Sequence, residues 1–290
     1  MLEDMVKDGP GLNKLIAWNG VSFNIPVTWE LESLDDTHLM AGENGSPRVE
    51  IKWAESPRSI SFEKQFKSVT ARSQKLLNII IHEQPGPPFF SSPVPFFKFF
   101  FFSWEGSGSK GMGALIFCTR CRRLTLIRFF FHGAFSPESI PSLVLASFTD
   151  HPVAGRVSWR VFGMAFSTPA EFRLSDYSFK PGYFFFTFLH RNIRLTVSSW
   201  GPASFLLSRK TPAEFAKERL PGLSGAAKEG ACGLGSFLEW SFRREPFKNA
   251  GRLPFFSRYS RFILSGYAGI WPATGSMGLR STPLEDLKPD

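Results

Sequence analysis

Residues 18–31 read WNGVSFNIPVTWEL, and residues 161–174 read VFGMAFSTPAEFRL. Moved by 143 positions, one lies on the other: Gly20 meets Gly163, Phe23 meets Phe166, Pro26 meets Pro169, Trp29 meets Phe172 and Leu31 meets Leu174. The agreeing residues are turn formers and apolar anchors, which carry fold rather than chemistry. In each copy polar and apolar residues alternate around the proline, the pattern of a strand, a turn and a second strand with one face buried. The chain of 290 residues leaves roughly 150 for each of two such halves, enough to bury a core in each. The pattern therefore predicts a tandem protein, with a first unit over residues 15–151 and a second over 156–290 that lacks its final helix or ends in a disordered tail.

Working outward, Arg48–Trp53 alternates with Val49, Ile51 and Trp53 on one face, and Ile193–Val197 repeats it 144 positions on. Phe62, Phe66 and Val69 fall at helical spacing within Ser61–Leu77, which predicts a helix on the sheet face lined by Phe23, Ile25, Val49 and Ile51. Thr211–Leu220 is its counterpart, with a threonine cap and a proline in the first turn. Phe96–Trp104 is nearly continuous phenylalanine, as in a central strand covered on both faces. Gly106–Gly113 reads as a flexible turn, and Ala114–Cys118 with Arg122–Phe131 as a hairpin. Ser136–Phe148 carries Ile140, Leu143, Val144 and Ser147 at helical spacing, and Thr149–Gly155 reads as a linker. Phe237–Phe242 and Phe256–Leu264 read as strands, and STPLEDLKPD at the end resembles only the start of the Ser136 helix. Strands joined by short turns, with helices at two places per copy, predict an α+β fold: in each unit an antiparallel sheet flanked by helices.

In this order the unit resembles the PsbP-like superfamily, on Phe23, Pro26 and Trp29 in the first copy and Phe166, Pro169 and Phe172 in the second. The resemblance implies an α-β-α sandwich and a non-catalytic docking or assembly role. None of that family's ligand residues can be placed on this chain.

Phenylalanine contributes 33 residues against 4 tyrosines, and a ring without a polar handle belongs to core more than to a wet surface. The net charge of +9 admits an anionic partner, whether nucleic acid, an acidic protein or a lipid surface, and equally a solvated basic surface. The opening residues, MLEDMVKDGPGLNKL, hold charges where an export signal needs an apolar run, and no run reaches the ~20 residues that span a bilayer. Three cysteines with no export signal lead to the expectation of reduced thiols in the cytoplasm.

Cys118-Thr-Arg-Cys121 is the sharpest local motif: half of a tetrahedral zinc site, a redox pair, or two small residues at a hairpin turn. Zinc would need two further ligands from Cys232 or histidines 38, 82, 132, 151 and 190, none of which forms a second knuckle. Arg120, Arg122 and Arg123 beside the pair would lower a thiol pKa. With Arg128 they form one basic group, and Arg243, Arg244, Lys248, Arg252, Arg258 and Arg261 form another. Aligning Phe117 with Phe256 puts both groups on equivalent hairpins, where Arg120, Arg122, Arg123, Arg243, Arg244, Arg258 and Arg261 could clamp carboxylates or phosphates. The bland alternative is a charged edge that blocks strand addition. Asp35-Asp36 reads as a solvated turn. No phosphate loop, Gly-x-Ser-x-Gly elbow or His-Glu-x-x-His motif is present, so no catalytic residue and no cofactor is expected. The reading is a non-catalytic protein that binds a protein partner, with an anion or nucleic-acid binder and a zinc or redox protein as rivals.

Overall fold

The computed structural model describes residues 12–56, 64, 66–68, 71, 79–87, 95–106, 108–131, 139–191, 193–219, 228–232, 235–243, 263–271 and 276–280, the last four stretches by their backbone. Asn19 and Gly20 both take positive φ, 45° and 85°, and close strands β1 (Leu12–Trp18) and β2 (Val21–Pro26) into a tight hairpin. Asn-Gly suits this turn, because both central positions of a type I′ turn lie in the left-handed region. Phe162 and Gly163, at 49° and 77°, do the same for β10 (Arg156–Val161) and β11 (Met164–Pro169). β1 pairs antiparallel with β10 at Ala17↔Arg160, positions 143 apart. The two copies of the hairpin thus meet at the same residue of each, as across a local two-fold, in a four-stranded sheet ordered β11-β10-β1-β2. The register sets Trp18 opposite Trp159, and their rings pack edge to face at 5.4 Å.

After the proline each copy turns into a seven-stranded antiparallel sheet. The first holds β3 (Glu30–Asp35), β4 (His38–Glu43), β5 (Ser46–Glu55), β6 (Ile80–Gln84), β7 (Phe97–Gly106), β8 (Ser109–Cys118) and β9 (Arg123–Phe131), ordered β3-β4-β5-β9-β8-β7-β6. The second holds β12 (Arg173–Lys180), β13 (Tyr183–His190), β14 (Ile193–Trp200), β15 (Lys228–Cys232), β16 (Gly235–Arg243), β17 (Ile263–Trp271) and β18 (Ser276–Arg280). Its order, β12-β13-β14-β18-β17-β16-β15, is the same path through seven strands. The chain divides into compact units at Ser167 and Thr168 rather than at the repeat boundary, and β10 of the second copy lies in the first unit, paired to β1.

The α+β expectation is overturned. The described residues form 18 strands in three antiparallel sheets, with helical residues at 64, 66–68 and 71 and the short helices α1 (Ser139–Ala146), α2 (Ala203–Leu206) and α3 (Pro212–Arg219). Helices of 8, 4 and 8 residues do not make a layer, so the helix-flanked α-β-α sandwich is not the architecture. Gly106–Gly113, expected as a flexible turn, is mostly strand, with β7 ending at Gly106 and β8 beginning at Ser109. Gly111 and Gly113 lie inside β8, where a Cβ would meet the Phe129 carbonyl oxygen at 1.8 Å and the Phe102 ring at 2.3 Å. They are there for close approach, not for a turn. β7 is next to the edge strand β6 rather than central, and Phe99, Phe100 and Phe101 are only half-buried.

The helical residues around Phe66 cover a different face from the one expected. Phe66 packs on Phe100 beside Ile79, Phe102 and Trp104, whereas Val49, Ile51 and Trp53 are buried on the opposite face of β5. On α1 the buried stripe is Ile140, Val144 and Leu145, and Leu143 is exposed. Thr211 and Glu214 form a capping box at α3, the Thr211 hydroxyl accepting from the Glu214 amide at 3.3 Å and the carboxylate accepting from the Thr211 amide at 2.7 Å. The end of the chain that was compared with the Ser136 helix, and part of the expected strand at Phe256–Leu264, lie outside the described residues. No helix among the described residues is long and apolar enough to cross a membrane.

One buried charge shapes the first seven-stranded sheet. Glu50, 6% exposed, sits directly across from Arg128 and pairs with it, with Lys52 at 2.7 Å and with His38 at 3.1 Å. Arg128 in turn lies over the Trp104 and Phe130 rings. Burial alone would raise the Glu50 pKa, but the hydrogen bond from Lys52 and the charge of Arg128 outweigh it and hold the carboxyl below its ordinary 4.5. A folded-state pKa below the unfolded one gives stability that is present above pH 4.5 and lost as the pH falls through the folded value. Glu50→Gln should therefore flatten the acid limb of a stability–pH curve. Glu50→Ala should cost about 3 kcal/mol at neutral pH, because it leaves Arg128 half-buried without its partner. Urea titrations of the variants at a series of pH values measure both effects.

Candidate metal centre

β8 runs to Cys118 and the chain turns through Thr119, Arg120 and Cys121 before β9 begins at Arg123. The turn is built around the first sulfur. The Cys121 amide donates to Cys118 Sγ at 3.4 Å, and the Arg122 amide donates to the Cys118 carbonyl at 2.9 Å. Arg122 takes φ 65° to let β9 leave antiparallel. Cys118 is completely buried and Cys121 is exposed.

A second segment meets this turn. Thr149 exchanges two backbone hydrogen bonds with Ser22 of β2, each 2.8 Å, and its hydroxyl lies 2.7 Å from that of Ser22. This anchors Asp150 and His151 beside the knuckle. Cys121 Sγ donates to Asp150 Oδ2 at 3.2 Å, and Cys118 Sγ lies 3.4 Å from His151 Nε2. His151 Nδ1 faces Asp150 Oδ1, a buried oxygen without an aligned hydrogen-bond donor. The His151 ring is fixed edge-on against Phe96 at 4.8 Å, and Arg123 ties the corner together by donating to the Gly20 and Asp150 carbonyls at 3.3 and 3.2 Å. One ligand atom each from Cys118, Cys121, Asp150 and His151 falls within 4.8 Å of every other.

Although the residue meets solvent, partial burial of its sulfur together with the Asp150 carboxylate pushes the Cys121 thiol up to about 12, while a hydrogen bond from the Arg123 backbone pulls the other way. The expectation that neighbouring arginines lower the thiol pKa is thus reversed. Arg123 is turned onto backbone carbonyls, and Arg120 lies over the Phe96 ring at 6.0 Å. The same donors suit a divalent cation that takes the place of the thiol proton. Two sulfurs, an imidazole and a carboxylate match zinc in number and type, whereas calcium and magnesium take oxygen alone. Asp150 can ligate through Oδ2 while Oδ1 orients His151, an arrangement common around metal-bound histidine.

The sequence had placed Cys118 and Cys121, with His151 as one available histidine among several. Thr149–Gly155, a linker by its composition, instead holds Asp150 at 4% exposure facing the thiols. The Asp-His pair was the only signal there, and two adjacent ligand types are common in loops. Among the other named groups, His38 is on Glu50, and His190 Nδ1 lies 3.2 Å from the Glu171 carbonyl oxygen. Cys232 ends β15 in the other seven-stranded sheet. Asp35 and Asp36 do lie at a turn, where their carbonyls accept from Trp18 Nε1 and Asn19 Nδ2, both at 2.8 Å. Arg243 ends β16, and Arg244, Arg258 and Arg261 lie outside the described residues. Strand order also corrects the equivalence of the two arginine groups. The counterpart of the β8–β9 hairpin is β17–β18, joined through Pro272, Ala273, Thr274 and Gly275, whereas the second arginine group lies between β16 and β17. The second copy therefore has no cysteine at the matching turn.

No protein-family model and no curated protein matches the chain. Among solved structures it is similar to the immunity protein TplEi of T6SS from Pseudomonas aeruginosa complexed with "L" peptide, at 9% identity and a TM-score of 0.32, covering 97% of this chain and 91% of that one. The apo form of that immunity protein gives 10% identity and a TM-score of 0.31, covering 95% and 89%.

Proposed function

We propose that this chain is a non-catalytic binding protein, made of two copies over residues 15–151 and 156–290, whose first copy is stapled by one zinc ion. The observation that carries the reading is the convergence of Cys118, Cys121, Asp150 and His151 within 4.8 Å. Four protein donors complete a tetrahedral shell and leave no open position for water or substrate, which is how structural zinc differs from catalytic zinc. The ligands come from the β8–β9 turn and from the segment bridged to β2, so the ion would tie the first seven-stranded sheet to the hairpin sheet. A closed site and a fold of sheets suit a protein that works by holding a protein partner rather than by turnover. Anion clamping is the weaker rival, because Arg123, one of the clamp candidates, is turned onto the Gly20 and Asp150 carbonyls, and Arg128 of the same basic group is paired with Glu50.

Elemental analysis of protein purified without chelator tests the metal. One zinc per chain is expected, falling to a small fraction in Cys118→Ser and retained in Cys232→Ser. Metal-free wild type that also fails to take up added zinc overturns the reading.

A further inference from the structure

The two sulfurs of this site stand in unequal surroundings, and the inequality has a chemical use. Cys118 is buried to the last ångström of its surface, whereas Cys121 is exposed at the turn. A four-residue turn holds its ends within about 7 Å, inside the range of Cα separations that a disulfide spans. The Sγ atoms already lie within 4.8 Å of each other. Cys121 is the one of the two whose residue meets solvent, so a small oxidant encounters it first, and Cys118 is placed to complete the reaction.

Resting on the zinc reading above, we infer that Cys121 is an oxidative modification site, resolved by Cys118, through which peroxide expels the metal. The metal-bound Cys121 thiolate attacks one oxygen of hydrogen peroxide. The O–O bond breaks, hydroxide leaves and takes up a proton as water, and Cys121 becomes a sulfenic acid. The Cys118 thiolate then attacks the Cys121 sulfur. The S–O bond breaks, a second hydroxide leaves as water after protonation, and the disulfide forms. Two thiolates, one peroxide and two protons become one disulfide and two waters, the thiolates supplying both electrons. The disulfide carries no charge for the cation, and Asp150 with His151 is only half a shell, so zinc leaves. Its departure removes the link between the β8–β9 turn and the segment at Thr149–His151.

The test uses the full chain in a Cys232→Ser background, so that the thiols counted are the two in question. Zinc-loaded protein is treated with hydrogen peroxide while a chromophoric chelator reads released metal and peptide mapping reads sulfur oxidation. The expected result is release of one zinc for each pair of thiols lost, a Cys118–Cys121 disulfide, and recovery of zinc binding after dithiothreitol. Cys121→His keeps a ligand but no oxidisable sulfur at the exposed position, and should hold its zinc through the same dose. Protein that takes up no zinc before peroxide is added fails the metal reading. Protein that binds zinc and either keeps it with both thiols intact, or loses it with Cys121 over-oxidised and Cys118 still reduced, overturns this inference and leaves the metal reading standing.

Discussion

Stripping the proposed zinc with a chelator is expected to lower the thermal unfolding midpoint of the first unit by about 8–16 °C. The figure follows from linkage. A ligand that binds only the folded state at about a thousand times its dissociation constant stabilises by about 4 kcal/mol, and each kcal/mol moves the midpoint by about 2–4 °C in a domain of 150–250 residues. The loss should be local before it is global. Thr149 and Ser22 hold each other through two hydrogen bonds of 2.8 Å, and the Arg122 amide rests on the Cys118 carbonyl at 2.9 Å. Without the cation, Asp150 faces the two sulfurs with only the His151 ring on its Oδ1 and the Arg123 guanidinium on its backbone carbonyl to hold the corner among the described residues. Amide exchange should therefore rise first at Ser22, Thr149 and Arg122, while the centre of the β7–β8–β9 ladder keeps its protection. Calorimetry with and without chelator, followed by exchange on the same samples, measures both. An unchanged midpoint with zinc demonstrably removed would mean that the ion decorates the fold rather than stapling it.

The features that sequence carried well are those in which one residue type answers a local geometric need. Proline followed by an aromatic three positions on marks the step from hairpin to sheet in both copies, and in both the aromatic amide returns to the proline carbonyl at 3.1 Å, Trp29 to Pro26 and Phe172 to Pro169. Asn19-Gly20 was readable as a two-residue turn, and reading it would have added β1 and β10 to the fold. Phenylalanine was harder. A ring at every position of Phe99–Phe102 hides the alternation by which a one-sided strand is recognised, so a strand next to the edge looked like a central one. The helices were over-read for a related reason: in Ser136–Phe148 apolar residues at helical spacing gave only the two turns of α1, and Leu143 belongs to its exposed side. The candidate metal centre was half legible. Cys-x-x-Cys is local and shows in the chain, but Asp150 and His151 reach it across 29 and 33 positions. What brings them there is the bridge of Thr149 to Ser22, a contact between residues that announce nothing on their own.

Replacing Trp18 or Trp159 with alanine is expected to cost about 3–5 kcal/mol each, the range for deleting a large aromatic from a packed core. Both are almost wholly buried, at 0% and 2% exposure, and their rings meet at 5.4 Å across the β1–β10 seam. The seam joins the opening hairpins of the two copies at equivalent residues, and on its other side Ile16 stands opposite Val161, again both buried. Each tryptophan thus packs a residue of the other copy, and a loss on one side is felt by both. Trp18 also contributes a hydrogen bond that alanine removes, since its indole donates to the Asp35 carbonyl at 2.8 Å. Edge-to-face rings add about 0.5–1.5 kcal/mol beyond their buried area, so the double variant should lose less than the sum of the single ones by about that amount. Urea unfolding of the wild type, both single variants and the double variant closes the cycle. Strict additivity would mean that the two rings do not share a core and that the hairpins of the two copies stand as separate elements. A coupling within the stated range, with the slope on urea unchanged, would mean that the four-stranded sheet folds as one cooperative piece built from both copies.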